Sequence, residues 1–318
     1  MLKDKKVLVT GGAGFIGSHL VNELEKYDCE IIVFDNFSSG HIGNTNSFGE
    51  RVKVINGDLR DISKIKEACQ GINYVFHLAA MPFIPDCYKD AEGFITSNIN
   101  GTFNLLNSIL DQNITCFVNI STSEIYGSAL YVPMDEKHPT LPHSTYAASK
   151  LAAENIVYTM HKEHGFPIKI IRCFNTFGPR DSHPRIIPEI IKQFVKNKEL
   201  KLGNINSTRD MLYVKDTAKG LIKAALSDKS NGEIINLGTG VETPINSLIP
   251  IIQQILGAEF LPVTIEQDRL RPLDVDRLCA DNNKAKLLLE WQPEYSLESG
   301  LRETIEWYKK EGSWVWEK

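Results

Sequence analysis

Val7-Leu-Val-Thr-Gly11-Gly-Ala-Gly14-Phe-Ile-Gly17 decides the fold. A short β-favouring run passes straight into three glycines spaced three apart, and a helical pattern follows. Gly11 permits a tight turn, Gly14 lets the backbone approach a pyrophosphate, and Gly17 allows the helix to pack close on the strand, with Phe15 and Ile16 between them. Such a triplet is weak evidence alone, since it also suits a plain strand-to-helix turn. Here Asp35, with Asn36 after it, ends the next apolar run, at the spacing for a carboxylate that accepts hydrogen bonds from an adenosine ribose. An acid there repels a 2′-phosphate, so NAD is favoured over NADP.

Working outward, apolar runs at Val7–Thr10, Cys29–Phe34, Val52–Ile55, Tyr74–Leu78, Cys116–Ile120 and Ile168–Cys173 alternate with helical patterns. Continuous rather than alternating hydrophobicity points to a parallel sheet covered on both faces, a doubly wound α/β fold. Candidate ligand contacts cluster where such strands end. Asp58 and Leu59 follow the third run, and Leu78, Ala79 and Ala80 follow His77 at the end of the fourth. Asp58 alternatively caps a helix, and His77 alternatively is a satisfied core histidine. Asn98 is a buried polar candidate inside a helical pattern.

Beyond Gly178-Pro-Arg180 the pattern changes. Helices are expected near 187–196, 245–256 and 297–309, and strands near 211–214 and 233–237. The division expected is a dinucleotide-binding domain over 1–175, to which segments near 210–238 return, and a smaller discontinuous lobe over 176–318.

The chain has 318 residues, 42% hydrophobic and 24% charged, with a formal charge of −5. That balance offers no general attraction to nucleic acid or anionic membrane, so any anionic ligand needs local groups. Six cysteines are scattered without C-x-x-C pairs, which suits buried free thiols and a reducing cytoplasm. No signal-peptide core and no membrane-spanning run is evident. His161-x-x-His164 lacks a metal-protease arrangement, and no metal is expected.

The chemistry is carried by Thr122-Ser123-Glu124 and by Tyr146-Ala-Ala-Ser-Lys150. A tyrosine and a lysine four apart share one helix face. The ammonium is expected to lower the phenol pKa, because a nearby positive charge favours the phenolate. Thr122 can hydrogen-bond the substrate alcohol, and Glu124 is a second, separate base.

Taken with Asn175 in Phe-Asn-Thr-Phe-Gly-Pro-Arg180 and with Arg209-Asp210 before Tyr213-Val-Lys-Asp216, these motifs resemble the extended short-chain dehydrogenase/reductases over essentially the whole chain. That family's members act on sugar nucleotides with bound NAD(P). Within it the chain is most similar to bacterial NAD-dependent 4,6-dehydratases, supported by the runs 131–139 and Arg269-Leu-Arg271-Pro272. The resemblance implies NAD held by the glycine turn and strand ends together with Asn98, Tyr146 and Lys150, and a nucleotide-sugar substrate, UDP-linked by preference. Asn175, Arg185, Arg209 and Arg271 would hold the pyrophosphate and nucleoside, and the run from Met81 to Asp86 would face the sugar. It also implies a homodimer, with helices near 93–110 and 146–164 forming a four-helix bundle.

The dehydratase chemistry so implied removes the 4-hydroxyl proton with Tyr146 and the carbon 5 proton with Glu124. Ser123 stands where the dTDP-glucose dehydratases carry aspartic acid, which leaves Glu124 itself as a candidate acid. A sugar-nucleotide 4-epimerase needs no second base and usually has a small residue at the position of Glu124. UDP-glucuronate decarboxylases share Thr-Ser-Glu but usually read Tyr-Asp-Glu-Gly-Lys. A sensor or scaffold that keeps the fold without turnover is the alternative from outside enzymology.

Overall fold

The computed structural model describes residues 2–196 and 198–312. Seven strands form a wholly parallel sheet: β1 Lys6–Thr10, β2 Glu30–Asp35, β3 Val52–Asn56, β4 Tyr74–His77, β5 Cys116–Thr122, β6 Ile168–Cys173 and β10 Glu233–Leu237. Their spatial order is β3-β2-β1-β4-β5-β6-β10. The order reverses between β1 and β4, where Thr10 lies opposite His77, and that reversal opens a crevice at the carboxyl ends.

Two apolar layers explain the continuous hydrophobicity of the strands. Val7, Val9, Val33 and Phe76 face one layer, and Leu8, Ile32, Val75 and Phe117 face the other. The edge strand β3 departs from that expectation, since Val54 is 37% exposed. An edge strand is covered by a neighbour on one side only.

Helix Val214–Leu226 joins the first layer through Ala218, Leu221 and Ile222, and β10 pairs with β6. The chain thus returns to the large sheet after leaving it. Strand β9 spans Thr208–Tyr213, earlier than expected, and lies outside that sheet. It forms a three-stranded sheet with β7 Asn175–Phe177 and β11 Glu242–Pro244, while β8 Leu200–Leu202 pairs with β12 Val263–Ile265. These pieces pack with helices Ile186–Lys196, Ile245–Leu256 and Leu297–Lys310 around a separate core that includes Ile190, Tyr213, Leu248 and Leu301.

All six cysteines are free and buried. Among the described residues no helix is long and apolar enough to cross a membrane, and no side-chain cluster could hold a metal.

Candidate active site

A cavity of about 780 Å³ runs from the glycine turn, over the carboxyl ends of β4, β5 and β6, into the second core. At its first end Gly11 has φ +71°, and a Cβ there would stand 2.7 Å from the Ala79 amide nitrogen. The turn and the loop after β4 are therefore pressed together with no room for a side chain. Asp35 holds the turn from the other side, accepting from the amides of Ala13 (2.9 Å) and Phe37 (2.8 Å). A carboxylate has about four acceptor sites, so lone pairs remain for ribose hydroxyls. Asp58 accepts from Arg60 (2.8 and 2.7 Å) and from Asn36 (2.8 Å). The Arg60 bond is the main reason the Asp58 carboxyl is held well below its ordinary range.

His77 is a satisfied core histidine. Its Nδ1 lies 2.8 Å from the Thr10 hydroxyl and its Nε2 2.8 Å from that of Thr102. Thr102 donates to the Asn98 carbonyl (2.6 Å), so its oxygen accepts from a proton on Nε2. Burial pushes this imidazole down to about 3.

Asn98 departs from expectation, because it does not line the cavity. Its Oδ1 accepts from the Met81 amide (2.8 Å), and its Nδ2 donates to the Met81 carbonyl (3.3 Å) and the Ser149 hydroxyl (2.9 Å). Those bonds use the amide to fix the loop after β4 against the helix Thr145–His164. The other expected site residues all face the cavity: Gly11, Gly14, Phe15, Ile16, Gly17, Asp35, Asn36, Asp58, Leu59, Leu78, Ala79, Ala80, Met81, Thr122, Ser123, Glu124, Tyr146, Lys150, Asn175, Arg185, Arg209 and Arg271.

Thr122 is the last residue of β5, and Ser123–Tyr126 form a 3-10 turn. The Thr122 oxygen accepts from the Glu124 amide (3.2 Å), which sets Glu124 at the cavity wall. Tyr146 enters near the start of helix Thr145–His164, capped by Ser144, and Lys150 follows one turn later. The two share a face, yet the electrostatics differ from the expected lowering of the phenol by lysine. Burial pushes Tyr146 up to about 12, opposed first by the Thr122 hydroxyl and then by the Arg185 charge. Lys150 itself is driven down to about 8 by burial. Desolvation outweighs their shared face because protein packs around both groups, with Lys150 buried and Tyr146 half-buried on the cavity wall.

At the far end Arg209 is buried, donating to the Thr208 carbonyl (2.9 Å), with Asp274 at 3.6 Å. Arg271 approaches the same carboxylate at 3.9 Å, and Arg185 pairs with Asp181 at 2.6 Å. Asn175 Oδ1 is buried without a partner, a polar atom facing the cavity. Phe83 and His183, whose rings stack at 5.0 Å, also line the cavity, as does the Glu189–Arg269 pair at 3.1 Å. Phe83 lies within the run expected to face a sugar, and Arg269 within a run already singled out. His183 and Glu189 had no local signal.

A dinucleotide turn joined by one cavity to a threonine, tyrosine and lysine defines a nicotinamide-dependent enzyme of the doubly wound α/β class. A family profile described as GDP-mannose 4,6 dehydratase matches residues 8–304. The chain belongs to the NAD-dependent epimerase/dehydratase family of short-chain dehydrogenase/reductases, which are enzymes of sugar nucleotides. It is 31% identical to a dTDP-glucose 4,6-dehydratase of Actinoplanes sp., over 97% of this chain and 99% of the relative. A UDP-N-acetylglucosamine 4-epimerase from Methanobrevibacter ruminantium, solved with UDP-N-acetylmuramic acid, superposes with a TM-score of 0.89 at 33% identity. That match covers 96% of this chain and 99% of the other. The dTDP-glucose 4,6-dehydratase DesIV from Streptomyces venezuelae, solved with NAD bound, gives 0.90 at 30% identity over 97% and 98%.

Proposed function

We propose that the protein is an NAD-dependent sugar-nucleotide 4,6-dehydratase giving a 4-keto-6-deoxy sugar. The observation that carries this reading is Glu124 on the wall of the same cavity as Thr122, Tyr146 and Lys150. A 4-epimerase has no use for a carboxylate there, whereas elimination needs a second base.

The residues suit NAD: the glycine turn admits a pyrophosphate, Asp35 and Asp58 face the cavity where the adenosine ribose and base would lie, and Lys150 stands beside Tyr146. When bound, NAD accepts hydride from carbon 4 of the sugar and gives it back at carbon 6. Tyr146 takes the proton of the 4-hydroxyl, with Thr122 holding that oxygen; burial keeps the phenol protonated in the protein without cofactor, and the phenolate that this step needs would be favoured by the added positive charge of a bound nicotinamide. Oxidation at carbon 4 acidifies the hydrogen on carbon 5, which Glu124 removes as a proton. The carbon 6 hydroxyl leaves as water, protonated by Glu124 itself in the absence of an aspartic acid at 123. Carbon 5 is then reprotonated, and Tyr146 gives up the proton it took from the 4-hydroxyl, which balances the turnover and restores the base. Arg185, Arg209 and Arg271, with Asn175, bind the diphosphate and nucleoside, since the guanidinium fork matches phosphate oxygens.

UDP-linked hexoses come first among substrates, as the epimerase neighbour was solved with a UDP sugar. The test is incubation with UDP-, GDP-, CDP- and dTDP-hexoses and UDP-glucuronate, reading product masses. Loss of one water is expected. Loss of carbon dioxide would make it a decarboxylase, an unchanged mass with a new sugar configuration an epimerase, and NAD binding without turnover a sensor.

The reading includes a cytoplasmic homodimer. Ile95 and Phe103 are 46% and 48% exposed on the helical stretch 91–109, and Tyr158 is 40% exposed on helix Thr145–His164. Apolar faces on these two adjacent segments suit a four-helix bundle about a two-fold axis. Light scattering should give twice the chain mass, and a monomer at micromolar concentration would refute the assembly.

A further inference from the structure

A buried polar chain runs beneath the site without lining the cavity. Arg172 on β6 is 4% exposed, and its Nε and Nη2 donate to the Glu154 carboxylate at 3.2 and 2.5 Å. Its Nη1 donates to the Tyr126 hydroxyl (2.8 Å) and the Glu136 carbonyl (3.3 Å), and the guanidinium lies 4.8 Å from the Tyr126 ring centre. The Tyr126 hydroxyl donates in turn to Asn236 Oδ1 (2.7 Å), and Asn236 Nδ2 donates to the Met134 carbonyl (2.9 Å).

Burying an ion pair is a poor way to gain stability, because desolvating both charges offsets most of their attraction. What a fully hydrogen-bonded guanidinium does supply is fixed geometry. Both ends of this network attach to elements that carry the chemistry. Glu154 lies one turn beyond Lys150 and two beyond Tyr146, on the same helix stripe. Tyr126 is the last residue of the 3-10 turn that carries Glu124.

The first end of that turn is held by the Thr122 oxygen at the Glu124 amide. Gly127, at φ +69°, closes the other end by donating to the Glu124 carbonyl (3.2 Å). Between them, the Tyr126 ring is clamped by Arg172. The distance from Tyr146 to Glu124 is thereby set through Glu154, Arg172 and Tyr126, a route separate from the backbone of β5.

We propose that Arg172 and Tyr126 are positioning residues for Glu124: they hold the second base in register with the helix bearing Tyr146, so that elimination depends on them and oxidation at carbon 4 does not. This rests on the dehydratase reading. Misplacing a reacting group by about 1 Å can cost ~100-fold, and Tyr126→Phe removes one hydroxyl while keeping the ring.

The test is a single turnover with excess enzyme, quenched in borodeuteride. Reduction of a ketone leaves deuterium at carbon 4, and mass separates intact hexose from 6-deoxy hexose. The wild-type protein should place nearly all label in the 6-deoxy sugar. Tyr126→Phe should carry label into intact hexose, with elimination slowed ~10–100-fold and oxidation within about threefold of wild type. Arg172→Lys keeps a charge for Glu154 but loses the fork, and should shift the partition in the same direction. A partition unchanged in both folded variants, or an equal fall in both steps, would overturn the positioning role. If the wild-type protein releases no water from any substrate, the dehydratase reading fails instead, before any variant is compared.

Discussion

The two ends of the cavity are built by different means. At the dinucleotide end the backbone forms the binding surface, and the side chains around it are held in place by internal bonds. Asp35 holds two amides, Asp58 holds Arg60 and Asn36, and His77 bridges two threonines. At the far end the surface is made of long side chains, mostly arginines leaning on carboxylates: Arg185 on Asp181, Arg209 and Arg271 on Asp274, Arg269 on Glu189. A backbone cradle tolerates almost no change, because a Cβ has nowhere to go. A side-chain cradle can be retuned, because each arginine can exchange a carboxylate for a phosphate. This contrast suits a family that keeps one cofactor and varies its substrates.

The sharpest way to break the comparison is Gly11→Ala. Left-handed backbone and a Cβ beside the Ala79 amide together should cost about 3 kcal/mol, a loss of ~100-fold or more in NAD affinity by calorimetry. An affinity within threefold of wild type would show that the turn is not a rigid cradle.

Between the two ends, Lys150→Met should stabilise the protein without cofactor while abolishing activity. The folded state lowers the Lys150 pKa from 10.5 to about 8. Between those values the unfolded chain holds more protons, so stability rises with pH across that window, and below about pH 8 the buried charge is a constant burden. Its removal should give about 3 kcal/mol at pH 7, seen as a rise of roughly 6–10 °C in Tm, and the gain should fade as pH approaches 10.5. A lower Tm for the variant at pH 7 would contradict this.

The mildest effect is expected in the arginine half. Arg209→Gln should raise KM for the nucleotide sugar ~10–30-fold, as for the loss of one charge-assisted hydrogen bond, and leave NAD affinity unchanged. A matching loss of NAD affinity would mean that the two ends are coupled.

These two constructions also explain what the sequence revealed. The glycine turn, Asp35 and the parallel strands were legible because a doubly buried strand must be continuously apolar and a backbone cradle must be glycine. The expected limits of Ile168–Cys173, Glu233–Leu237 and Ile245–Leu256 coincide with the observed ones. The second lobe was less legible, since β7, β8, β11 and β12 have three residues each, too short to display any period. Asn98 showed itself as a buried polar group, yet its partners at Met81 and Ser149 are distant in sequence. Helix spacing placed Tyr146 and Lys150 on one face, but the balance between burial and charge on the phenol depends on packing that spacing does not contain.

The central claim is that Glu124 is the second base, and Glu124→Gln tests it most directly. In a single turnover quenched with borodeuteride, the variant should oxidise carbon 4 at near the wild-type rate and label the intact hexose, with water loss reduced ~100-fold or more. Release of a 6-deoxy sugar at the wild-type rate would contradict the account.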